Sequence, residues 1–227
     1  MSGIATATKY ALPEYASAIE ALPENSSLAL YGFSWKDYET LLQTYDGVRS
    51  LHVSYDNGKV EIMPLSFEHE FYGRFLEQLV GLFSRICRRK VIHLGSATLK
   101  RQSKLKGVEP DASFYIQSCV IIGNKIRLDL EIDPPPDVIV EIDIHNESLS
   151  RFSIYAALGI PEIWHYDEKH LTIYHLQQGQ YVPVPASPAL PLLTGAVLTE
   201  FLTRCKDEDQ YDTLLAFEEW LRAQPPQ

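Results

Sequence analysis

Two acidic side chains within one strongly apolar segment are the clearest sign of chemistry in this sequence. Residues 137–144 follow three consecutive prolines and read DVIVEIDI. The high content of β-branched residues predicts a strand inside a sheet. Because side chains alternate between the two faces of a strand, Glu141 and Asp143 lie on the same face, about 7 Å apart.

Two carboxylates on the buried face of a strand have to be neutralised, because an unpaired buried charge is costly. Carboxylate oxygens are ligands that a divalent cation prefers, so the pattern favours a metal site. Two alternatives remain open on the sequence alone. Glu141 and Asp143 either lie at an exposed end of the strand or pair with basic side chains.

A further carboxylate, Asp111, begins another predicted strand, residues 111–116. Pro110 favours an extended conformation for its predecessor and fixes how the chain enters this strand. If the strand pairs with the acidic strand, Asp111 approaches Glu141 across the ladder. The two carboxylates, with a main-chain carbonyl, would then form an oxygen site of the type that Mg²⁺ prefers.

The elements that must position these residues are predicted from periodicity, caps and turn residues. The predicted helices cover residues 34–42, 66–89, 148–158, 194–204 and 208–221. The predicted strands cover residues 48–55, 59–63, 91–94, 97–99, 111–116, 120–122, 126–130, 137–144, 161–166, 171–176 and 181–184. This order favours a mixed α/β domain built around a sheet, without regular βαβ winding.

The basic residues are distributed unevenly along an acidic chain of formal net charge −10. Residues 78–108 contain no Asp or Glu but hold eight of the 20 Lys and Arg residues. One basic surface on an acidic protein is typical of contacts with a phosphate backbone. The alternative is a solvated helix end followed by a charged loop. The residues that we predict to bind nucleic acid are Arg88, Arg89, Lys100, Arg101, Lys104 and Lys106.

The chain is predicted to form one domain with two terminal additions. We expect a poorly ordered N-terminal arm at residues 1–30, the domain at residues 31–205, and an amphipathic helix at residues 206–227 packed on the same domain. Three widely spaced cysteines favour free thiols and a reducing compartment. No apolar run approaches the roughly 20 residues of a membrane span, and the N-terminus lacks a basic segment followed by an apolar core, so we do not expect a secretory signal. We therefore expect a cytoplasmic protein with no membrane partner.

Other patterns of catalytic chemistry are not found in the sequence. The chain has no phosphate-cradling glycine loop, no GxSxG turn and no dinucleotide fingerprint, so we expect no organic cofactor. His93, His165, His170 and His175 lack the spacing of a helical metal motif and are interpreted as structural or surface groups.

The acidic motifs and the segment after them resemble a known family. That segment, residues 154–167, reads IYAALGIPEIWHYD. Together with Pro110-Asp111 and residues 137–144, it resembles the Uma-two family of restriction endonucleases in the PD-(D/E)XK nuclease superfamily. The resemblance runs from residue 35 to about residue 200 and includes His69. It implies a restriction-endonuclease-like fold, with a mixed sheet core flanked by helices.

The resemblance also implies roles for particular residues. The Asp of the Pro-Asp motif and the Glu of the next strand bind metal in the superfamily, which implies Asp111 and Glu141 here. The family's lysine maps to Arg151, one helical turn before Tyr155. Because arginine stays protonated, Arg151 would hold the scissile phosphate and would not act as a base. Asp143 would assist as a further ligand or base.

Three more residues are accessory candidates at this site. His69 and Glu70 lie at the start of the long predicted helix, where the alternative is an exposed pair. Tyr155 lies on the helix of Arg151, where the alternative is packing against the sheet.

The resemblance implies an endonuclease that hydrolyses DNA phosphodiester bonds with Mg²⁺ or Mn²⁺. The alternative is a catalytically impaired module that binds nucleic acid or protein without cleavage, because Arg151 replaces the family's lysine. A structural dimer module with an accidental acidic strand is a third hypothesis. We expect a homodimer, since cutting both strands of a duplex favours two-fold symmetry.

Overall fold

The computed structural model describes residues 12–24, 26–45, 51–144 and 151–225. The helices in these ranges are α1 (Leu12–Glu20), α2 (Trp35–Tyr45), α3 (Phe67–Ile86), α4 (Cys119–Ile122), α5 (Phe152–Leu158), α6 (Gly195–Asp207) and α7 (Gln210–Arg222). The strands are β1 (Leu28–Tyr31), β2 (Leu51–Asp56), β3 (Lys59–Pro64), β4 (Ile92–His93), β5 (Leu99–Arg101), β6 (Lys106–Val108), β7 (Ala112–Tyr115), β8 (Val138–Ile142), β9 (Glu162–Tyr166), β10 (Leu171–Gln177) and β11 (Gln180–Val184).

The strands form two sheets, with the orders β1-β3-β2-β6-β5 and β11-β10-β9-β8-β7-β4. The first sheet is antiparallel. The second sheet is mixed, because β8 and β9 run parallel whereas β7 and β8 run antiparallel. The predicted mixed α/β fold is confirmed.

Helices cover both faces of the second sheet at β8. Val138, Val140 and Ile142 belong to a core cluster with residues of α3, α6 and α7. Ile139, on the opposite face, packs in a separate cluster with residues of α5. This two-sided burial explains why the strand is apolar on both faces, and it leaves Glu141 with no exposed surface.

Helix α3 begins at the site and runs away from it beneath the sheet. Ser66 caps the helix by accepting a hydrogen bond from the backbone N–H of His69. Phe75, Leu79 and Phe83 recur at four-residue spacing and are fully buried, which fits a helix with one face on the core. The cap therefore fixes the backbone of His69 in the first turn.

The connection from β6 to β7 carries the chain from the first sheet into the second. Glu109 holds this connection in place, because its carboxylate accepts hydrogen bonds from the Val53 N–H at 2.9 Å and the Thr98 hydroxyl at 2.5 Å. Asp111 follows directly. Strand β2 of the first sheet is thereby brought beside the start of β7.

Two of the predicted elements are wrong. Residues 120–122 and 126–130 do not form a hairpin, because residues 119–122 form α4 and residues 126–130 have no strand. Cys119 and Ile122 are buried at helical spacing whereas Val120 and Ile121 are exposed. The last helix, α7, buries Phe217 and Leu221 and leaves Tyr211 and Leu215 exposed.

The N-terminal segment contains α1 and β1 in the described residues, and Ile19 lies in a core cluster of the first sheet. The division into an arm, a domain and a terminal helix stays a prediction. The predicted starts of the hairpin at residue 48 and of a helix at residue 148 lie outside the described residues. In the described ranges, no helix combines the length and the apolar character that crossing a bilayer requires. All three cysteines are free thiols, as predicted.

Candidate active site

Asp111 lies against β8 immediately before β7. Its backbone N–H donates to the Val140 carbonyl at 3.0 Å, and its Oδ2 accepts from the Ile142 N–H at 2.7 Å. Asp111 therefore contacts the residues on both sides of Glu141. Strand β7 pairs antiparallel with β8, which meets the condition under which Asp111 approaches Glu141.

Glu141 faces two side chains of the segment that opens α5. Arg151 Nη2 lies 2.7 Å from Glu141 Oε2, and the Tyr155 hydroxyl donates a hydrogen bond to Glu141 Oε1. Arg151 and Tyr155 are one helical turn apart and share a face. Glu141 is therefore paired with a basic side chain, which is one of the two alternatives that the sequence left open.

Asp143 lies just past the end of β8, and its side chain is 9% exposed. Its Oδ2 is 2.7 Å from His165 Nε2 on the parallel neighbour β9. Its Oδ1 is 4.0 Å from Arg151 Nη2. Asp143 thus links Arg151 to His165. The spacing of the histidines in the sequence did not indicate that His165 lies beside this cluster.

Two buried histidines converge on the other oxygen of Asp111. His52 Nδ1 and His69 Nδ1 lie 3.8 Å and 3.6 Å from Asp111 Oδ1. These distances are longer than hydrogen bonds. Both histidines are 4% exposed. Among the described residues, no hydrogen-bond partner is found for either ring nitrogen of His52 or for the Nδ1 of His69.

Sequence reasoning missed His52. The predicted hairpin places His52 on the face of β2 opposite Val53 and Tyr55, so the face that His52 occupies was predictable. The residues that pack against that face were not. Only the passage of the chain from β6 into β7 brings Asp111 there.

Burial and neighbouring charges shift the pKa values of these groups in opposite directions. Burial lowers the pKa of His52 to about 4, so the ring is neutral at pH 7, although Asp111 opposes this shift. Burial alone would raise the pKa of Asp111, but His69, His52 and Arg151 outweigh it and hold that pKa below its ordinary value.

Glu141 shows the reverse balance. Complete burial raises the pKa of the Glu141 carboxyl, Arg151 opposes the rise, and Asp111 adds to it. Asp111 is therefore the carboxylate that stays charged most readily. The charge of Glu141 depends on Arg151.

The remaining accessory candidate, Glu70, does not join the cluster. Its carboxylate lies 3.5 Å from Arg74 Nε on the same helix, and its side chain is 42% exposed. The alternative of an exposed position therefore applies to Glu70 and not to His69. Tyr155 does both things considered for it: its ring is fully buried in the cluster with Ile139, and its hydroxyl donates to Glu141.

Most of the predicted nucleic-acid contacts have partners within the chain. Lys100 pairs with Glu39 at 3.1 Å and Lys106 pairs with Asp56. Arg101 and Lys104 donate hydrogen bonds to backbone carbonyls, those of Leu130 and Ala157, both at 2.6 Å.

Arg88 and Arg89 are exposed just beyond the end of α3. At 1.5 Å per residue, the end of α3 lies about 25 Å from His69. The two arginines therefore lie far from the acidic cluster, and the nucleic-acid role of all six basic residues stays a prediction.

The donor atoms suit a divalent ion on one side of the cluster. Within the described part of the chain, no group of three His, Cys, Asp or Glu side chains is arranged to hold a metal ion. Arg151 and Tyr155 occupy the oxygens of Glu141. Asp111 Oδ1 instead faces imidazole nitrogens that are without hydrogen bonds. Carboxylates and imidazoles are donor types that bind metal ions, so the kinds of donor around Asp111, although not their present arrangement, suit such an ion.

Comparison with known proteins gives one family. Residues 35–203 match the model of the Uma2 family, described as "Putative restriction endonuclease". No curated protein matches the chain significantly. A similar solved structure is the "putative nuclease belonging to DUF820" from Anabaena variabilis ATCC 29413, with 18% identity, a TM-score of 0.47, and coverage of 66% of this chain and 90% of that chain. The matched range includes the whole cluster from His52 to His165 and well over half of the sequence. This chain therefore belongs to the Uma2 family.

Proposed function

We propose that this chain is a divalent-metal-dependent endonuclease that hydrolyses DNA phosphodiester bonds. The observation that carries the proposal is the buried pair of carboxylates, Asp111 and Glu141, brought together by β7 and β8 with the Arg151 guanidinium at 2.7 Å from Glu141. Membership of a family described as restriction endonucleases supports the same reaction.

The carboxylates would hold Mg²⁺ or Mn²⁺ between the protein and the scissile phosphate. A bound ion of this kind stabilises charge on a phosphoryl oxygen and lowers the pKa of water. Asp111 is suited to this task because its carboxyl stays ionised. Glu141 would contribute once a phosphate draws Arg151 away from it.

Arg151 would bind the phosphate. Its guanidinium is charged at all accessible pH values and matches two phosphate oxygens at once. Tyr155 positions Glu141 through its hydroxyl hydrogen bond. Asp143, held by His165 at 2.7 Å, is the candidate that accepts a proton from the attacking water or adds a ligand.

We further propose that the substrate is duplex DNA and that two copies of the chain act together. Two sites related by a two-fold axis match the two antiparallel strands of a duplex. The exposed Arg88 and Arg89 would contact the backbone away from the scissile bond.

A cleavage assay on supercoiled plasmid tests the proposal. We expect the wild-type protein to nick DNA with Mg²⁺ or Mn²⁺ and to lose this activity with EDTA. Asp111→Asn and Glu141→Gln should each lower the rate by about 100-fold or more, because each removes a charged group needed in the transition state. Glu70→Gln is the matched control and should nick normally. Nicking that survives both site changes would place the activity elsewhere or in a contaminant.

The second candidate function is a module that binds nucleic acid without cleavage. The Arg151–Glu141 ion pair favours it, because the pair neutralises the carboxylate without a metal ion. Arg151→Lys separates the two functions. Restored or faster nicking would support an enzyme with a tolerated arginine, whereas metal-independent DNA binding without nicking in either protein would support the module.

A further inference from the structure

The pair of imidazoles beside Asp111 is not explained by packing. His52 and His69 come from different elements, β2 and the first turn of α3, and both point at the same carboxylate oxygen. Polar groups in a protein interior nearly always find hydrogen-bond partners. Here His52 is 4% exposed and neither of its ring nitrogens has one among the described residues.

Both imidazole nitrogens lie slightly farther from Asp111 Oδ1 than ligands around one ion lie from each other, so no three such side chains of the described residues yet form a metal site. Two donors about 2.1 Å from a metal, at tetrahedral or octahedral angles, lie roughly 3.0 to 3.4 Å apart. The two observed nitrogen–oxygen separations are 3.8 Å and 3.6 Å. Side-chain rotations that close each separation by a few tenths of an ångström would bring the donors to ligand spacing.

We propose that His52, His69 and Asp111 form the primary metal-binding triad, and that its two imidazoles make the site select Mn²⁺ or another transition-metal ion over Mg²⁺. The inference rests on the proposed function in one respect: the ion bound by the triad is the one that would take part in DNA cleavage. Imidazole nitrogen suits transition metals, whereas Mg²⁺ requires oxygen ligands. Glu141, paired with Arg151, joins this triad second and does not define it.

Metal binding by the full-length, metal-free protein tests the triad without DNA. By titration calorimetry we expect Mn²⁺ to bind at least tenfold more tightly than Mg²⁺. His52→Gln should weaken Mn²⁺ binding at least tenfold and change Mg²⁺ binding by less than threefold, which removes the preference. His170→Gln, an exposed histidine on the β9–β10 turn, is the matched control and should match wild type.

Pulsed electron paramagnetic resonance of bound Mn²⁺ supplies a readout that does not depend on a variant folding. Wild-type protein should show coupling of the Mn²⁺ spin to imidazole nitrogen, and His69→Gln should reduce it. Bound Mn²⁺ without nitrogen coupling, equal affinity for Mg²⁺ and Mn²⁺, or no binding at all would each overturn the triad. Imidazole-bound Mn²⁺ in a protein that never nicks DNA would refute the nuclease and leave the triad standing.

Discussion

At the scale of single residues, the site sets apart two carboxylates that the sequence makes look equivalent. Neighbouring imidazoles and Arg151 hold the pKa of Asp111 below its ordinary value, whereas burial raises that of Glu141. Pairs of titratable groups with opposite shifts mark divided roles in catalytic sites. Asp111 is the carboxylate that stays ionised, whereas burial keeps the pKa of Glu141 raised and its ionisation depends on Arg151 beside it.

Removing Arg151 should therefore destabilise the protein in a pH-dependent way. With EDTA at pH 9, Arg151→Met should lower the free energy of unfolding by about 3 kcal/mol, because a buried charge loses its partner. Burial raises the pKa of Glu141 to about 8 even beside Arg151. The carboxyl is therefore protonated in both proteins at pH 6, and the deficit of the variant should appear as pH rises through that pKa.

Urea denaturation at both pH values measures this effect. Arg151→Lys, which keeps a positive charge, is the matched control and should lose less stability than the methionine variant. Equal stability of wild type and Arg151→Met at pH 9 would show that the ion pair does not neutralise Glu141.

At the scale of elements, the site depends on how the first sheet is held against the second. Strand β6 leads through Glu109 and Pro110 directly to Asp111, and it also carries a close contact at Gly107. A Cβ at that position would lie 2.3 Å from the Tyr38 hydroxyl oxygen and 2.7 Å from two ring carbons. Tyr38 itself is fully buried, so it cannot easily retreat.

Gly107→Ala should lower the free energy of unfolding by about 1 to 3 kcal/mol through overpacking. Gly81→Ala is the matched control, because Gly81 lies within α3 and its added Cβ meets only His93 Cε1 at 3.9 Å. That change should raise stability by roughly 0.5 to 1 kcal/mol through helix propensity. Urea denaturation of both variants checks the pair, and two changes of the same sign would contradict the close contact.

At the scale of the whole molecule, an acidic chain of net charge −10 must bind a polyanion through local positive surface. Four of the six predicted basic contacts already have partners within the chain. Arg88 and Arg89 are exposed, about 25 Å along α3 from His69. That distance corresponds to about 7 base pairs of duplex DNA.

We predict that the double change Arg88→Ala and Arg89→Ala lowers the salt dependence of duplex binding. Each lost phosphate contact should reduce the slope of log affinity against log salt by about 0.9. Fluorescence anisotropy with EDTA, over a series of KCl concentrations, measures the slope. Lys100→Ala with Lys106→Ala is the charge-matched control and should change it less, since both lysines are ion-paired. An equal or larger change in the control would contradict this assignment of the DNA contacts.

The sequence by itself determined the local elements of this protein. The alternation in β8, the Asn57-Gly58 turn between β2 and β3, and the Ser66 cap of α3 were all predictable, because each depends on neighbouring residues only. Prediction from neighbouring residues alone failed where apolar residues were few or were exposed. Residues 120–122 were predicted as a strand, although they belong to helix α4, in which Cys119 and Ile122 are buried.

Only the tertiary structure decided which side chains meet at the site. His52 and Asp111 are far apart in the sequence, and they meet because β2 pairs with β6 and the chain then crosses into β7. Arg151 and Glu141 approach because α5 packs on the face of β8 that carries Ile139. Periodicity tells which face a residue occupies, but the partner across that face depends on strand order and on helix packing.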